Sequence, residues 1–172
     1  TSSLALAFLN RENNAEYQFY KTFPEKRFAG PTPDFKADDI LLFGSFAAME
    51  SSSAQAIEEI TAIASKSNAE IIYDPNFRAA YSPKLENYLP QLKKNFAVAT
   101  VIRGSDEDFE LIFGTKEVDE IWQKIANPGL KALFCTGSKS VWAKTPLFTK
   151  SYSAPAITPV STVGAGDSFN AG

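Results

Sequence analysis

Short apolar runs alternate along this chain with segments whose apolar residues recur at helical spacing, and that alternation is its strongest constraint on fold. Ile40-Leu41-Leu42-Phe43, closed by Gly44, reads as a strand buried on both faces. After the cap candidates Ser51-Ser52-Ser53, residues Ile57, Ile60, Ile63 and Ala64 fall on one helical stripe. Ile71-Ile72-Tyr73-Asp74 is strand-like again. Ser82-Pro83 starts a second helix, with proline at its first position and Leu85, Leu89 and Leu92 as its apolar face. The spacing then predicts a strand over Val98-Ala99-Thr100-Val101-Ile102, helices over 106–113 and 117–126, and a strand over 131–136. Val141-Trp142-Ala143 and Lys150-Ser151-Tyr152 read as a hairpin. Strands that alternate with helices imply βαβ units and a parallel sheet, so the expected class is a layered α/β domain.

Upstream of this pattern, Leu4 to Leu9 and Tyr17-Gln18-Phe19-Tyr20-Lys21 read as a hairpin around the polar turn 10–14. Residues 22–38, with Pro24, Gly30, Pro31 and Pro33, read as a connector. The chain opens on Thr1-Ser2-Ser3 without an initiator methionine, and it stops about one turn into a helix at Gly172. Both features lead us to expect a piece of a longer protein.

Composition narrows the function classes. Of 172 residues, 44% are hydrophobic and 22% charged, as in folded domains. A net charge of −3 lacks the basic footprint of a nucleic-acid binder. No apolar run reaches bilayer length and no signal-like segment opens the sequence, so no membrane partner is expected. The single cysteine, Cys135, cannot form an internal disulfide, which suits a cytoplasmic location. Zero histidines exclude histidine-dependent triads and zinc sites. Chemistry here falls to carboxylates, Lys, Arg, hydroxyls and backbone amides.

The sharpest local signal is Ser161-Thr162-Val163-Gly164-Ala165-Gly166-Asp167-Ser168-Phe169. Two glycines around one small residue let the chain turn sharply and present successive N–H groups where a helix begins. Such a nest favours a phosphate, while a carboxylate at the same place caps a helix, and local physics leaves the two readings even. Phe169 stands where a dinucleotide fingerprint needs glycine, and Gly137-Ser138-Lys139-Ser140 lacks the spacing of a phosphate-binding P-loop. Ser105-Asp106-Glu107-Asp108 reads locally as a capping box for a helix at 106. Arg78 reads locally as a loop arginine.

Taken together, these residues resemble the ribokinase-like (PfkB) carbohydrate kinases. The run from Ser161 to Asp167 resembles their Asp-Thr-x-Gly-Ala-Gly-Asp signature. Asp74-Pro75-Asn76-Phe77-Arg78 resembles the D-x-N-x-R segment of the fructokinase and 2-keto-3-deoxygluconate kinase branches. Ser105 to Asp108 falls where the family carries Asn-x-x-Glu, and Thr136-Gly137 where Thr-x-Gly approaches the nucleotide. The order of these motifs matches, and the resemblance covers nearly the whole chain. It implies a three-layer α/β/α fold with a small β lid, residues 1–21 belonging to the lid and 22–172 to the nucleotide-binding kinase domain. It also implies that the N-terminal strands with a Gly-Gly sugar signature and the closing C-terminal helices lie outside this sequence.

The implied activity is transfer of the ATP γ-phosphoryl group, with Mg²⁺, to a sugar hydroxyl, fructose first. Asp167 would be the base, and the N–H groups of Gly164, Ala165 and Gly166 the anion hole. Ser105, Thr136 and Gly137 would meet ATP; Arg78, Phe19 and Lys21 would meet the substrate; Asp108 would act on Mg²⁺ indirectly, through water. A homodimer through the lid is implied as well. Three positions depart from the family pattern: Ser161 for the usual Asp, and Ser105 and Asp108 for the Asn and Glu of Asn-x-x-Glu. The alternatives are 2-keto-3-deoxygluconate as acceptor, or a catalytically silent sugar- or nucleotide-binding relative. The 172 residues alone are expected to be inactive and, with an open sheet edge, prone to associate.

Overall fold

The computed structural model describes residues 4–9, 15–20, 30–157 and 162–172. The chain divides into two compact units, Gly30–Ala154 in one and Thr1–Ala29 with Pro155–Gly172 in the other.

In the larger unit, β3 (Ile40–Gly44), β4 (Glu70–Asp74), β5 (Val101–Ser105) and β6 (Ala132–Thr136) run parallel and lie side by side in chain order. β7 (Ser140–Lys144) and β8 (Thr149–Ser153) extend the sheet as antiparallel strands. The crossovers are α1 (Ser51–Lys66), α2 (Leu85–Val98), and α3 (Asp106–Phe113) followed by α4 (Val118–Ile125). Parallel crossovers are right-handed, and successive strands in one direction therefore place every crossover on the same face. The helices accordingly pack on one another: α1 on α2, α2 on α4, and α3 on α4.

Between this helix layer and the sheet lies the core, in which Ile71, Tyr73, Ile102 and Leu133 from the strands meet Ile57, Leu92, Phe96, Phe109 and Ile121 from the helices. Tyr73 anchors it, its ring 4.9 Å from Phe43 and 5.2 Å from Phe96. Asn95 Nδ2 donates to the Tyr73 hydroxyl at 3.3 Å and to Ala48 O at 2.8 Å, so the polar atoms enclosed here are partnered. Burying one such aromatic ring contributes roughly 1.5–3 kcal/mol.

The alternation read from the sequence is present, with four differences. β3 is not buried on both faces: among the described residues it ends the strand order, and Ile40 and Leu42 are exposed while Phe43 packs under the helices. The third parallel strand, β5, starts at Val101, not Val98. The α2 stripe of Leu92, Asn95 and Phe96 keeps the chain helical through Val98, and the strand then includes Arg103 and Gly104. Ser82 and Pro83 lie inside a 3₁₀ turn, Ala79–Lys84, instead of starting an α-helix, and the α-helix proper follows at Leu85. Ser51, Ser52 and Ser53 lie inside α1, whose N-cap is Glu50.

The smaller unit contains an antiparallel pair, β1 (Leu4–Leu9) with β2 (Ala15–Tyr20), in register from Leu4 opposite Tyr20 to Leu9 opposite Ala15. Leu4, Leu6, Phe8 and Tyr20 are exposed. It also contains α5 (Ala165–Ala171), which buries none of its residues. The expected turn at 10–14, the connector up to residue 29, and the positions Lys21 and Ser161 lie outside the described residues. No helix among the described residues is long and apolar enough to cross a membrane.

Candidate active site

Ligand crevices in parallel α/β sheets form at the carboxyl ends of the strands, and the candidate residues of the larger unit collect there. Asp74 ends β4, Ser105 ends β5 and Thr136 ends β6. Arg103, one turn of the pleat before Ser105, spans all three strands. Its Nη1 donates to Asp74 Oδ2 at 2.9 Å and its Nη2 to Thr136 Oγ1 at 2.9 Å. Both members of the ion pair are buried. Thr136 Oγ1 also donates to Gly104 O at 3.3 Å.

Beside this network sits the capping box of α3. Asp108 N donates to Ser105 Oγ at 3.0 Å, and Asp108 Oδ2 accepts from Ser105 N at 2.8 Å and Ser105 Oγ at 2.7 Å. Asp108 is buried, and burial pushes its carboxyl above the ordinary range. The Ser105 hydrogen bonds pull it partly back; the Asp74 charge adds to the rise and the Arg78 charge opposes it. Arg78 is exposed and extends from the backbone position just before the 3₁₀ turn. Asp74, Arg78, Arg103, Ser105, Asp108 and Thr136 thus form one neighbourhood in which charge is felt between members.

A cleft of about 340 Å³ opens next to it, lined among others by Asp106, Lys116, Gly137, Ser140 and Trp142. Its size suits a small-molecule ligand. Gly137 N donates to Ser140 O at 2.9 Å, and a Cβ on Gly137 would come within 3.2 Å of Asp106 Oδ2, so the turn packs tightly at the cleft wall. Cys135 also borders the cleft, but burial pushes its thiol up to about 12, so it is unreactive at neutral pH. A larger, apolar cavity of about 430 Å³ between α2, α3 and α4 holds none of the residues singled out from the sequence.

In the smaller unit, Gly164 is the N-cap of α5 at φ 79°, ψ 2°, a left-handed conformation that glycine adopts without strain. Gly164 O accepts from Ser168 N at 2.9 Å and from Ser168 Oγ at 2.9 Å. Ala165 N donates to Thr162 O at 3.2 Å, so this expected anion-hole donor is engaged in the turn itself. Asp167 lies exposed in the first turn of α5, where a carboxylate is favourable. Phe19 belongs to β2; nothing is described of its side chain.

Sequence reasoning missed Arg103, whose signal was hidden by placing the strand three residues early. It also missed Lys116 and Trp142, because a cleft wall assembled from a loop and an antiparallel strand leaves no periodic trace. No cluster of three potential metal ligands occurs among the described residues. Asp108, enclosed with Oδ2 committed to Ser105, does not fit a direct Mg²⁺ contact; only a water-mediated one is compatible with its setting.

A mostly parallel sheet with this crossover order and its candidate residues at the strand ends defines the ribokinase-like α/β class. Residues 1–172 match the family described as pfkB family carbohydrate kinase, and the chain belongs to that family. It is 27% identical over 174 residues to fructokinase-2 of Solanum lycopersicum, covering 98% of this chain and 53% of that protein. The structure is similar to that of fructokinase from Vibrio cholerae O395, solved with fructose, ADP and calcium, at a TM-score of 0.74 and 20% identity over 99% of this chain and 56% of the other. It is also similar to aminoimidazole riboside kinase from Salmonella enterica, at a TM-score of 0.69 and 18% identity over 80% of this chain and 47% of the other. The chain spans about half the length of the curated relatives it matches.

Proposed function

We propose that the full-length protein is an ATP-dependent sugar kinase whose first acceptor is fructose. The observation that carries this reading is Asp167 in the first turn of α5, directly after a glycine turn with a left-handed Gly164. Phosphoryl transfer needs positioning, charge stabilisation and one base, and a carboxylate serves as base in a chain with no histidine. Asp167 accepts the proton of the attacking hydroxyl. The N–H groups of Gly164, Ala165 and Gly166 face the charge that develops on the transferring group; that of Ala165 gives up its bond to Thr162 O to do so.

ATP occupies the cleft beside Gly137, near Ser105 and Thr136, with Mg²⁺ neutralising charge on its phosphates. Asp108 acts on that ion only through water. Arg78, Phe19 and Lys21 meet the acceptor, the last two from the lid formed by residues 1–21. Residues 22–172 form part of the kinase domain. The protein is cytoplasmic and pairs with a second copy through its lid. The relatives named fructokinase support the acceptor class.

The exposed Arg78 favours a second acceptor, 2-keto-3-deoxygluconate, because a guanidinium pairs well with a sugar carboxylate. The test is ATP-dependent phosphorylation by the full-length protein, with fructose and 2-keto-3-deoxygluconate supplied separately. Preference for fructose supports the first reading and preference for the acid sugar the second. Sugar or nucleotide binding without turnover on either acceptor would mark a silent relative.

A further inference from the structure

The backbone ladder weakens where the candidate site begins. β3 pairs with β4 over five positions, from Ile40 opposite Glu70 to Gly44 opposite Asp74, and β5 pairs with β6 over five, from Val101 opposite Ala132 to Ser105 opposite Thr136. Between them, β4 and β5 pair only at Ile72 with Val101 and Tyr73 with Ile102. One residue further on, where a third pair would fall, the connection passes to side chains: Arg103 Nη1 to Asp74 Oδ2, and Arg103 Nη2 onward to Thr136 Oγ1.

We propose that Arg103 is a positioning residue that fixes the 74–78 loop against the 136–137 turn across this opening between strands. The inference rests on the sugar-kinase reading for its kinetic consequence, though not for its geometry. Both ends of the link are themselves held. Asp74 O accepts from Ser45 N at 2.9 Å, and Asp74 Oδ1 accepts from Asn76 N at 3.1 Å, which holds Asn76 at φ 41° two residues before Arg78. Thr136 Oγ1 reaches Gly104 O as well as Arg103, and Gly137 follows it at the cleft wall. A displacement of Arg103 therefore reaches the loop assigned to the acceptor and the turn assigned to the nucleotide together. A planar guanidinium carries the two donors this requires on separate nitrogens of one rigid group, whereas a lysine ammonium places all its donors on a single atom and lacks that span.

The test uses the full-length protein with Arg103→Lys, Thr136→Val and the double variant; Arg103→Met is added only if it folds. Lysine keeps the charge beside Asp74 and loses the second arm. Assayed where circular dichroism shows it folded, Arg103→Lys should lower kcat/KM for ATP by about tenfold, as small misplacements do. Adding it to Thr136→Val should cost no more than Thr136→Val alone, because both remove the same bond. Wild-type kinetics in folded Arg103→Lys, or losses that multiply in the double variant, would overturn the proposal. Amide hydrogen exchange supplies a readout independent of turnover. Protection should fall in the peptides around 74–78 and 134–138 and stay unchanged over 51–66 and 118–125. A uniform change or none overturns the link, even if the wild-type protein phosphorylates no sugar and the kinase reading itself falls.

Discussion

The two regions that carry the candidate chemistry are held in opposite ways. At the ends of β4, β5 and β6, Asp74, Arg103 and Asp108 are buried, and side-chain hydrogen bonds of about 3 Å or less join Arg103 to Asp74 and to Thr136, and Asp108 to Ser105. At the start of α5, Asp167 is exposed, the helix buries no residue, and the conformation depends on a left-handed glycine and a few turn hydrogen bonds. The first region is fixed by desolvation, which makes any unpaired polar group costly. The second is fixed by local backbone preference. A base must reach water-borne substrate and keep its charge, whereas a frame must not move, so the division matches the roles proposed for each.

That contrast breaks most sharply at Asp167. Asp167→Asn in the full-length protein should reduce turnover about a thousandfold while altering stability by less than about 0.5 kcal/mol, as expected for a base on the surface. Turnover within tenfold of wild type would remove Asp167 from the mechanism.

Two glycine substitutions separate steric from conformational control. A Cβ on Gly44 would lie 1.8 Å from Asp74 O, so Gly44→Ala must force β3 from β4 and should destabilise by about 3 kcal/mol or more. Gly164→Ala meets no atom within 4 Å but must hold φ near 79°, which costs about 1–2 kcal/mol. Urea unfolding of the two variants ranks them; the reverse order would refute the packing argument.

A smaller effect concerns pH. Burial raises the Asp108 carboxyl above its unfolded value, so the native chain holds that proton more tightly than the unfolded chain. Its contribution to stability therefore falls as pH rises from the ordinary carboxylate range through the raised value. Asp108→Asn keeps an acceptor for Ser105 N and removes the titration. Its stability relative to wild type should rise across that interval, measured by urea unfolding at stepped pH. A constant offset would mean that Asp108 ionises as freely as an exposed carboxylate.

The smallest effect should come from the surface. Lys131 Nζ lies 2.6 Å from Glu70 Oε2. Burial works to raise the Glu70 carboxyl, but Lys131 and Thr100 hold it below its ordinary range. Lys131 is 64% exposed, and Lys131→Ala should change stability by less than about 1 kcal/mol. A larger loss would extend the buried frame to this end of the sheet.

The sequence by itself determined the order and type of the elements, because apolar periodicity reports which residues leave water and does so locally. It also determined the glycine turn before Asp167 and the Ser105–Asp108 capping box, since each is closed by residues a few positions apart. Only the tertiary structure decided that the strand after α2 begins at Val101 and that Arg103 joins Asp74 to Thr136. The partners in that last contact are separated by 29 and 33 residues. Their meeting depends on strand register and shared burial, which no local pattern encodes.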